Sequence, residues 1–248
     1  MRCGLVSVSF RGHSPEEIIR AAKEAGLSHI EWGSDVHAPA NEPERLSAIA
    51  AACRQAGIGI SSYGTYFRLG ETGEEALEDY FRAAEILGTK ILRLWCGTKG
   101  YAAYSEAEWQ ALIADGKKAA ARAEKTGFIL CMECHPDTVT DCLAGALRLM
   151  QEVGSPNFLM YWQPHPYRSF CENLRYASAI APYTKAVHIF HWRQDDRLPL
   201  ADAVDEWRDY VSCFDKEIFG LLEFMPDGRL ETLKTEAKAL DRIAEVSR

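Results

Sequence analysis

Strand and helix patterns alternate along the whole chain, and this alternation limits the folds that are open to it. Eight short apolar segments have the character of buried parallel strands, and segments with helical periodicity fill the gaps between them. The repeat of roughly thirty residues is the size of one strand–helix unit. The pattern therefore predicts parallel βαβ units rather than separate helical and sheet regions. The predicted strands are residues 3–10, 28–32, 57–63, 90–96, 128–134, 158–163, 185–189 and 218–224.

The predicted helices begin and end at residues that favour helix termini. Ser14 can cap the first helix, Pro15 suits its first turn, and Glu17 completes a capping box. Gly26 then ends this helix. The other predicted helices are residues 42–56, 74–87, 105–126, 141–153, 171–180, 199–213 and 230–246.

Eight strand–helix units predict closure into a single (β/α)₈ barrel, a TIM barrel, which spans residues 1–248 as one domain. An open doubly wound sheet uses the same local pattern. The first strand is followed by Arg11-Gly-His13-Ser, with neither a GxGxxG fingerprint nor a P-loop, so the barrel is preferred. The active site of such a barrel lies at the C-terminal ends of its strands.

Charge and composition argue against several classes of partner. The formal net charge of −8 disfavours a general nucleic-acid binder, because such binding depends on Lys and Arg neutralising phosphates. We find no apolar run of transmembrane length, and the chain opens as a strand rather than as a signal peptide. Eight cysteines scattered among apolar residues are typical of reduced thiols. We therefore expect a cytoplasmic protein with a small-molecule substrate, whose surface aromatic residues permit a homo-oligomer.

Two of these cysteines, Cys131 and Cys134, form a CxxC pair, a spacing that can bind zinc or act in redox chemistry. They lie within a predicted strand, where successive side chains face opposite ways. Their sulfurs should therefore point apart, and a structural role is favoured over a metal or redox site.

Four consecutive strands end in a side chain that can donate an electron pair. Glu133 ends the apolar run that begins at Phe128, and Gln163, His188 and Glu223 end the next three strands. A bare carboxylate at such a position is costly to desolvate unless a cation lies beside it. Barrel closure directs all four side chains at one space, which predicts a single divalent metal site. Oxygen-rich ligation with one imidazole suits Mn²⁺, Mg²⁺ or Co²⁺, with Zn²⁺ as an alternative.

At these residues the chain resembles the xylose isomerase-like barrel superfamily, in particular its sugar isomerases and epimerases related to ketose epimerases. The ligands of that family are Glu, Asp, His and Glu, and Glu133, His188 and Glu223 match three of them. Gln163 stands where an Asp is usual. The resemblance covers nearly the whole chain and rests on residues 14–19, 26–31, 94–97, 132–135, 186–188 and 222–223.

The departure at Gln163 has chemical consequences. An amide oxygen can ligate a metal but cannot neutralise its charge, so metal affinity should be weaker and the metal more electrophilic. The family's usual Asp-x-x-His reads Gln163-Pro-His165-Pro here. His165 is therefore the candidate for the substrate-binding histidine of this strand.

The resemblance implies a metal-dependent isomerase or epimerase of a small sugar, sugar phosphate or polyol ketone. The implied reaction removes a proton next to a carbonyl and forms a metal-stabilised enediolate, with Glu133 and Glu223 as base and acid on its two faces. A keto-polyol dehydratase of the same superfamily is one alternative, because the same enediolate can expel a β-hydroxyl. A non-catalytic carbohydrate-binding barrel is another, with Gln163 as a first sign of lost chemistry.

Six further residues are candidates for contacts with the substrate, and each has a structural alternative. His135 lies two residues beyond Glu133 and so faces the same side of the strand, unless it is a surface loop histidine. Arg193 can reach substrate hydroxyls or phosphate, or lie in a solvated loop. Trp95 and Tyr63 can line a sugar ring or pack in the core. The candidates are His135, His165, Arg193, His37, Trp95 and Tyr63.

One charged pair is predicted to be structural. Glu31 and Arg93 interrupt apolar strands at positions that should face into the barrel. In the resembling family such residues tend to pair inside the barrel, so we predict a Glu31–Arg93 ion pair rather than a catalytic role.

Overall fold

The computed structural model describes residues 1–245, in which eight parallel strands close into a barrel. The strands are β1 (Arg2–Val6), β2 (His29–Gly33), β3 (Gly59–Leu69), β4 (Ile91–Cys96), β5 (Ile129–Glu133), β6 (Phe158–Trp162), β7 (Thr184–Ile189) and β8 (Phe219–Leu222). Each strand pairs with the next along the chain, and Leu222 of β8 pairs back onto Leu5 of β1. The predicted (β/α)₈ barrel is confirmed, and this last pairing excludes an open sheet.

An α-helix follows each barrel strand. The predicted capping box at Ser14 and Glu17 is present, and Ser105 and Ser169 begin two later helices in the same way. The last predicted helix extends to Val246, which lies outside the described residues. No helix within residues 1–245 combines the length and the apolar character needed to cross a membrane. The helices are α1 (Pro15–Glu24), α2 (Pro43–Ala56), α3 (Glu74–Leu87), α4 (Glu106–Thr126), α5 (Leu143–Val153), α6 (Phe170–Ile180), α7 (Val204–Ser212) and α8 (Leu233–Ala244).

Two apolar layers hold the barrel together. A large layer between strands and helices includes Trp32 and Trp162, and a smaller one inside the barrel includes Cys131 and Leu221. Successive side chains of a strand face opposite layers, as the pleat requires. Cys134 belongs to the outer layer, so the two sulfurs of the CxxC pair point apart as predicted.

Two strand ends differ from the prediction by more than two residues. The predicted strand 3–10 ends at Val6, and residues Ser7–Phe10 form a 3₁₀ turn in which Ser7 Oγ accepts a hydrogen bond from the Gly33 N–H at 2.9 Å. The predicted strand 57–63 continues to Leu69. Glycine disfavours strands, so Gly64 resembles a strand end in the sequence. In the barrel it is required, because a Cβ there would lie 2.6 Å from Glu31 Oε1.

Candidate active site

Parallel closure brings the four predicted metal ligands to one mouth of the barrel. Glu133 is the last residue of β5, His188 lies near the end of β7, and Gln163 and Glu223 directly follow β6 and β8. Glu133, His188 and Glu223 are buried, and His188 is completely inaccessible to solvent. Residues separated by up to ninety positions in the sequence therefore share one buried space because the barrel is closed.

The distances between these donor atoms suit a single ion. His188 Nδ1 lies 3.1 Å from Gln163 Oε1, 3.4 Å from Glu133 Oε1 and 3.5 Å from Glu223 Oε2. One donor atom from each of Glu133, His188 and Glu223 lies within 4.8 Å of the others. Ligands about 2.1 Å from a common ion are separated by roughly 3.0–3.4 Å in octahedral or tetrahedral geometry. The three residues therefore form a group that can hold a metal ion.

Gln163 is oriented for the same purpose. Its Nε2 donates a hydrogen bond to the Cys134 carbonyl at 2.9 Å, which leaves Oε1 directed at His188. A fixed amide presents its oxygen to a cation without rearrangement, as bonded ligands in metal sites do. Two carboxylates, an imidazole and an amide oxygen fit a divalent ion.

The predicted ion pair between Glu31 and Arg93 is confirmed, and Arg93 has a second partner that the sequence did not predict. Arg93 Nε donates to Glu31 Oε1 at 2.9 Å, and Arg93 Nη1 donates to Glu133 Oε2. Burial alone would raise both carboxyl pKa values, but the guanidinium lowers that of Glu31 to about 2 and that of Glu133 well below its usual range. Glu133 is therefore held as a carboxylate.

Glu223 has a different electrostatic environment. Burial, followed by repulsion from the carboxylates of Glu133 and Glu31, raises its pKa to about 7 against the opposing effect of His188. Burial would lower the pKa of His188, but the neighbouring Glu223 and Glu31 carboxylates raise it to about 10. Two acids at one mouth thus differ in proton affinity because one of them is paired with an arginine.

A cavity of about 300 Å³ opens onto this group. Glu133, Gln163 and Glu223 lie on its floor, and much of its wall is aromatic. Its volume is at the small end of the range for ligand sites, which suits a metabolite rather than a polymer. The remaining lining residues are Val8, Arg11, Tyr66, Arg93, Trp95, His135, Pro136, Pro166, Phe190, Trp192 and Phe224.

Two of the predicted substrate-binding residues line this cavity. Trp95 Nε1 donates to Glu133 Oε2 at 2.5 Å, and its ring lies 5.0 Å from that of His135. His135 Nδ1 lies 2.7 Å from the Pro136 carbonyl, which can only accept, so Nδ1 carries the proton and Nε2 is an acceptor in the neutral ring. Each side chain thus combines an apolar face with one polar atom of known role.

The other four predicted substrate-binding residues are not brought to the cavity. Tyr63 and His37 are buried behind it, where the Tyr63 hydroxyl donates to the Ala38 carbonyl at 2.6 Å. Arg193 donates to both carboxylate oxygens of Glu206 at 2.5 and 2.6 Å. His165 lines two smaller neighbouring cavities, where its Nδ1 accepts from the Tyr167 N–H at 3.2 Å.

Several lining residues were missed by sequence reasoning. Arg11 follows β1 at the correct end of the barrel, and Phe190 lies two residues beyond His188, so position alone could have indicated both. Trp192 belongs to a short antiparallel hairpin, and its buried Nε1 has no hydrogen-bond partner among the described residues. Phe224 has φ 51°, uncommon for an aromatic residue, and its N–H donates to Ser9 Oγ at 2.9 Å.

A larger cleft of about 810 Å³ lies between α3 and α4 beside the end of β3, and none of the four predicted metal ligands lines it. Its lining combines apolar side chains such as Leu77 with surface charges such as Asp115 and Arg122. The residues that can hold a metal ion lie at the smaller cavity, which is therefore the candidate active site.

The sequence of this chain is similar to a family model and to the sequence of a characterised protein. The model of the xylose isomerase-like TIM barrel family matches residues 19–198. The 3-dehydroshikimate dehydratase of Bacillus anthracis is 24% identical over 273 residues, a match that covers 97% of this chain and 96% of that protein.

Solved structures share the fold. The probable 3-DHS dehydratase of petrobactin synthesis from Bacillus anthracis has a TM-score of 0.82 at 21% identity, covering 97% of this chain and 99% of that one. The IOLI protein with a binding zinc atom has a TM-score of 0.78 at 13% identity, covering 99% and 98%. An L-ribulose 3-epimerase has a TM-score of 0.73 at 16% identity, covering 100% and 95%. With the family match extending over most of the sequence, the chain belongs to the xylose isomerase-like TIM barrel family.

Proposed function

We propose that this protein is a divalent-metal-dependent enzyme that removes a proton next to the carbonyl of a small hydroxylated ketone, and that it then expels a β-hydroxyl as water. The observation that carries the proposal is the unequal bonding of the two glutamates at the barrel mouth. Oε2 of Glu133 accepts hydrogen bonds from Arg93 and Trp95. Glu223 accepts no side-chain hydrogen bond from the residues that the structure describes, and its Oε2 lies 3.5 Å from His188 Nδ1.

The unequal hydrogen bonding of Glu133 and Glu223 supports different roles for the two glutamates. A general base must have a free lone pair within reach of the proton it removes. Glu223 meets this requirement, whereas one oxygen of Glu133 is bonded to two donors and the other faces His188. In this proposal Glu223 removes the substrate proton, and Glu133 is a metal ligand whose negative charge is preserved by Arg93.

Glu133, Gln163, His188 and Glu223 would hold the divalent ion, with Mn²⁺, Mg²⁺ and Co²⁺ favoured by the oxygen-rich set and Zn²⁺ as an alternative. Glu223 would bind through Oε2, which faces His188, so that Oε1 stays free to take the proton. When bound, such an ion polarises a carbonyl and stabilises negative charge that develops on its oxygen. The list of ligands is supported by the three oxygen atoms, one each from Gln163, Glu133 and Glu223, that lie within 3.5 Å of His188 Nδ1.

The cavity walls would bind and orient the substrate. His135 Nε2 can accept a hydrogen bond from a substrate hydroxyl, because Nδ1 already donates to Pro136. The ring of Trp95 offers a flat apolar face, on which the C–H face of a carbohydrate can lie. Aromatic walls also exclude water, which strengthens electrostatic interactions inside the cavity.

A single free base favours dehydration over epimerisation. Glu223 can take the α-proton and return it to the departing β-hydroxyl on the same face, so that the C–H and C–O bonds break, a C=C bond forms and water leaves. Epimerisation by two bases requires a second free carboxylate on the opposite face, and Glu133 is bonded to Arg93 there. The similarity to the 3-dehydroshikimate dehydratase supports the same reaction and makes 3-dehydroshikimate the first substrate to test.

Isomerisation or epimerisation of a small ketose is the second candidate. It is favoured by the placement of Glu133 and Glu223 at nearly equal distances from His188 Nδ1, 3.4 and 3.5 Å. The similarity in fold to an L-ribulose 3-epimerase agrees with it. Both candidates share the initial removal of the proton.

The test begins with elemental analysis of the purified protein, followed by incubation with 3-dehydroshikimate, L-ribulose and D-psicose in the presence of each metal. Mass spectrometry in D₂O distinguishes loss of water from retention of the carbon skeleton with deuterium at one carbon. We expect loss of water from 3-dehydroshikimate. Deuterium incorporation into a ketose without loss of water supports the second candidate, and the absence of both reactions contradicts both candidates for these three ketones.

Variants separate the roles of the two glutamates. We expect Glu223→Gln to lower kcat by about 10²–10⁴-fold, because it removes the base. Glu133→Gln should lower metal content as well as turnover. Glu217→Gln is the matched control, because Glu217 is ion-paired with Arg2 at the opposite end of the barrel. Full activity of Glu223→Gln with bound metal would exclude Glu223 as the base.

A further inference from the structure

Arg11 lies on the wall of the cavity, directly after the turn that ends β1, and neither the metal site nor the proposed base uses it. We propose that Arg11 binds a carboxylate group of the substrate, which makes the substrate a carboxylated hydroxy-ketone rather than a neutral sugar. This inference rests on the proposed function, because it takes the reacting carbonyl to lie in the same cavity.

The guanidinium of Arg11 is held by three partners from three parts of the barrel. Nε donates to Asp35 Oδ2 at 2.5 Å, Nη2 donates to the Tyr66 hydroxyl at 2.8 Å, and Nη1 donates to the Val8 carbonyl at 3.1 Å. The Tyr66 hydroxyl itself donates to Asp35 Oδ2 at 3.1 Å. A side chain fixed in this way loses little conformational entropy when a ligand binds.

Two donors of this guanidinium are left for a ligand. Arginine has five N–H groups, and the three hydrogen bonds use one on each nitrogen. One N–H on Nη1 and one on Nη2 are therefore without a partner among residues 1–245. The planar guanidinium matches the two oxygens of a carboxylate, and hydrogen bonds between charged partners are about twice as strong as neutral ones.

The distribution of charge around the cavity points to the same residue. Two arginines line the cavity, and Arg93 is already bound by the carboxylates of Glu31 and Glu133. Arg93 is 4% exposed, whereas the Arg11 side chain is 43% exposed. Asp35 contacts Arg11 but does not line the cavity, so the ion pair presents its positive member to a ligand.

Arg11 is also connected to the proposed chemistry. The ring of Tyr66 packs edge-on against Trp95 with 5.4 Å between centroids, and Trp95 donates to Glu133. A substrate whose carboxylate contacts Arg11 therefore lies along the aromatic wall that leads to the metal-binding group. Anchoring one end of a small substrate fixes the position of its reacting carbon.

The test measures binding to the Mn²⁺-loaded protein by isothermal titration calorimetry, with two pairs of probes that differ in one charge. The pairs are shikimate with methyl shikimate, and 5-keto-D-gluconate with L-sorbose, the ketose that carries CH₂OH in place of the carboxylate. We expect the wild-type protein to bind the acid at least about tenfold more tightly than the uncharged member in one pair or both. Arg11→Gln should abolish this preference, and Arg11→Lys, which keeps the charge without the planar fork, should retain only part of it.

Two further variants serve as controls. The double variant Arg11→Gln/Asp35→Asn removes the ion pair as a unit, so no unpaired carboxylate remains to repel the acid, and it should lose the preference too. Arg2→Gln removes an arginine of similar side-chain exposure, 50% against 43% for Arg11, at the other end of the barrel and should keep the preference.

The outcomes separate this inference from the proposed reaction. Equal binding of acid and uncharged probe in both pairs by the wild-type protein, or a preference that survives in both Arg11→Gln proteins, overturns the inference. Displacement of the acids by inorganic phosphate at lower concentration than by acetate overturns the choice of a carboxylate. An acid preference that depends on Arg11, in a protein that releases no water from any ketone, supports the inference and contradicts the proposed reaction.

Discussion

The middle of the barrel and its C-terminal mouth both contain buried charged groups, but the two regions differ in how completely the protein pairs those groups. In the middle, Arg93 binds Glu31, and the Ser62 hydroxyl donates to Glu31 at 2.9 Å while accepting from the Tyr161 hydroxyl at 2.9 Å. At the mouth, Glu223 accepts no side-chain hydrogen bond from residues 1–245. Charges in the middle are satisfied by the protein, whereas those at the mouth are left for an ion or a substrate.

Glu133 belongs to both regions and shows what the difference means. One of its oxygens is bonded to Arg93 and Trp95, and the other faces His188. Pairing with arginine keeps this carboxylate ionised, so a metal can bind it without displacing a proton. A buried charge that is fully paired supports structure, and one that is only partly paired retains capacity for chemistry.

The largest effect is expected from removing the cation in the middle region. Arg93→Met leaves the buried carboxylates of Glu31 and Glu133 without their partner, and it should lower the free energy of unfolding by roughly 3–5 kcal/mol. Urea denaturation at pH 7 with EDTA measures this loss. Arg2→Met, which breaks an exposed pair with Glu217, should lower stability by about 1 kcal/mol or less. Equal losses in the two variants would mean that the buried pairs of Arg93 contribute no more to stability than an exposed pair does.

The pH dependence of metal binding tests the pKa values of His188 and Glu223 at the mouth. A metal must displace the proton of His188, whose pKa is about 10, and below pH 7 that of Glu223, whose pKa is about 7. Affinity for Mn²⁺ should therefore rise on the order of a hundred- to a thousandfold from pH 6 to pH 8. Isothermal titration in buffers of different ionisation enthalpy measures both the affinity and the protons released. An affinity that is constant over this range would contradict the assigned environments.

Glu223→Gln should stabilise the metal-free protein at high pH. The pKa of Glu223 is raised above its usual value of 4.5, so the folded state favours the protonated acid. Its contribution to stability is present below pH 4.5 and is lost as the pH rises through 7. With EDTA the variant should exceed the wild type by about 1–3 kcal/mol at pH 8 and match it near pH 4.5. Saturating Mn²⁺ should reverse the order at pH 8, and an unchanged order would argue against Glu223 as a ligand.

A local effect, no larger than that of Glu223→Gln, is expected from single indole N–H groups. Trp95→Phe keeps an aromatic ring but removes the hydrogen bond to Glu133, and it should lower stability by about 1–3 kcal/mol, as for bonds to charged groups. Trp192→Phe is the control, because its buried Nε1 has no partner among the described residues and no hydrogen bond is lost. Chemical denaturation of both variants measures the difference. A Trp192 variant as unstable as the Trp95 variant would mean that ring packing accounts for both.

Much of the fold and the centre of the site could be predicted from the sequence. The regular alternation of strand and helix identifies the barrel, and a polar residue after an apolar run identifies the ends of β5 to β8. The positions of Glu133, His188 and Glu223 follow from these two facts alone. The prediction of the Glu31–Arg93 pair rests on charged residues at inward strand positions together with the family resemblance.

The walls of the cavity could not be predicted in the same way, because loops place them. Tyr63 precedes Gly64 in β3 and faces the outer layer, where its hydroxyl donates to the Ala38 carbonyl. Arg193 precedes Gln194, whose φ of 55° turns a short hairpin and leaves Arg193 against Glu206. Neither the strand pattern nor the helix pattern specifies such local turns.

The pairing of β8 with β1 has a consequence for folding during translation. Phe224, next to the proposed base, bonds to Ser9 in the turn after β1, so the earliest and latest parts of the barrel support each other. Until β8 emerges, one edge of β1 has no neighbour and the last donor of the metal group is missing. The barrel therefore stays open to aggregation, and its group of candidate metal donors stays incomplete, until β8 has been translated.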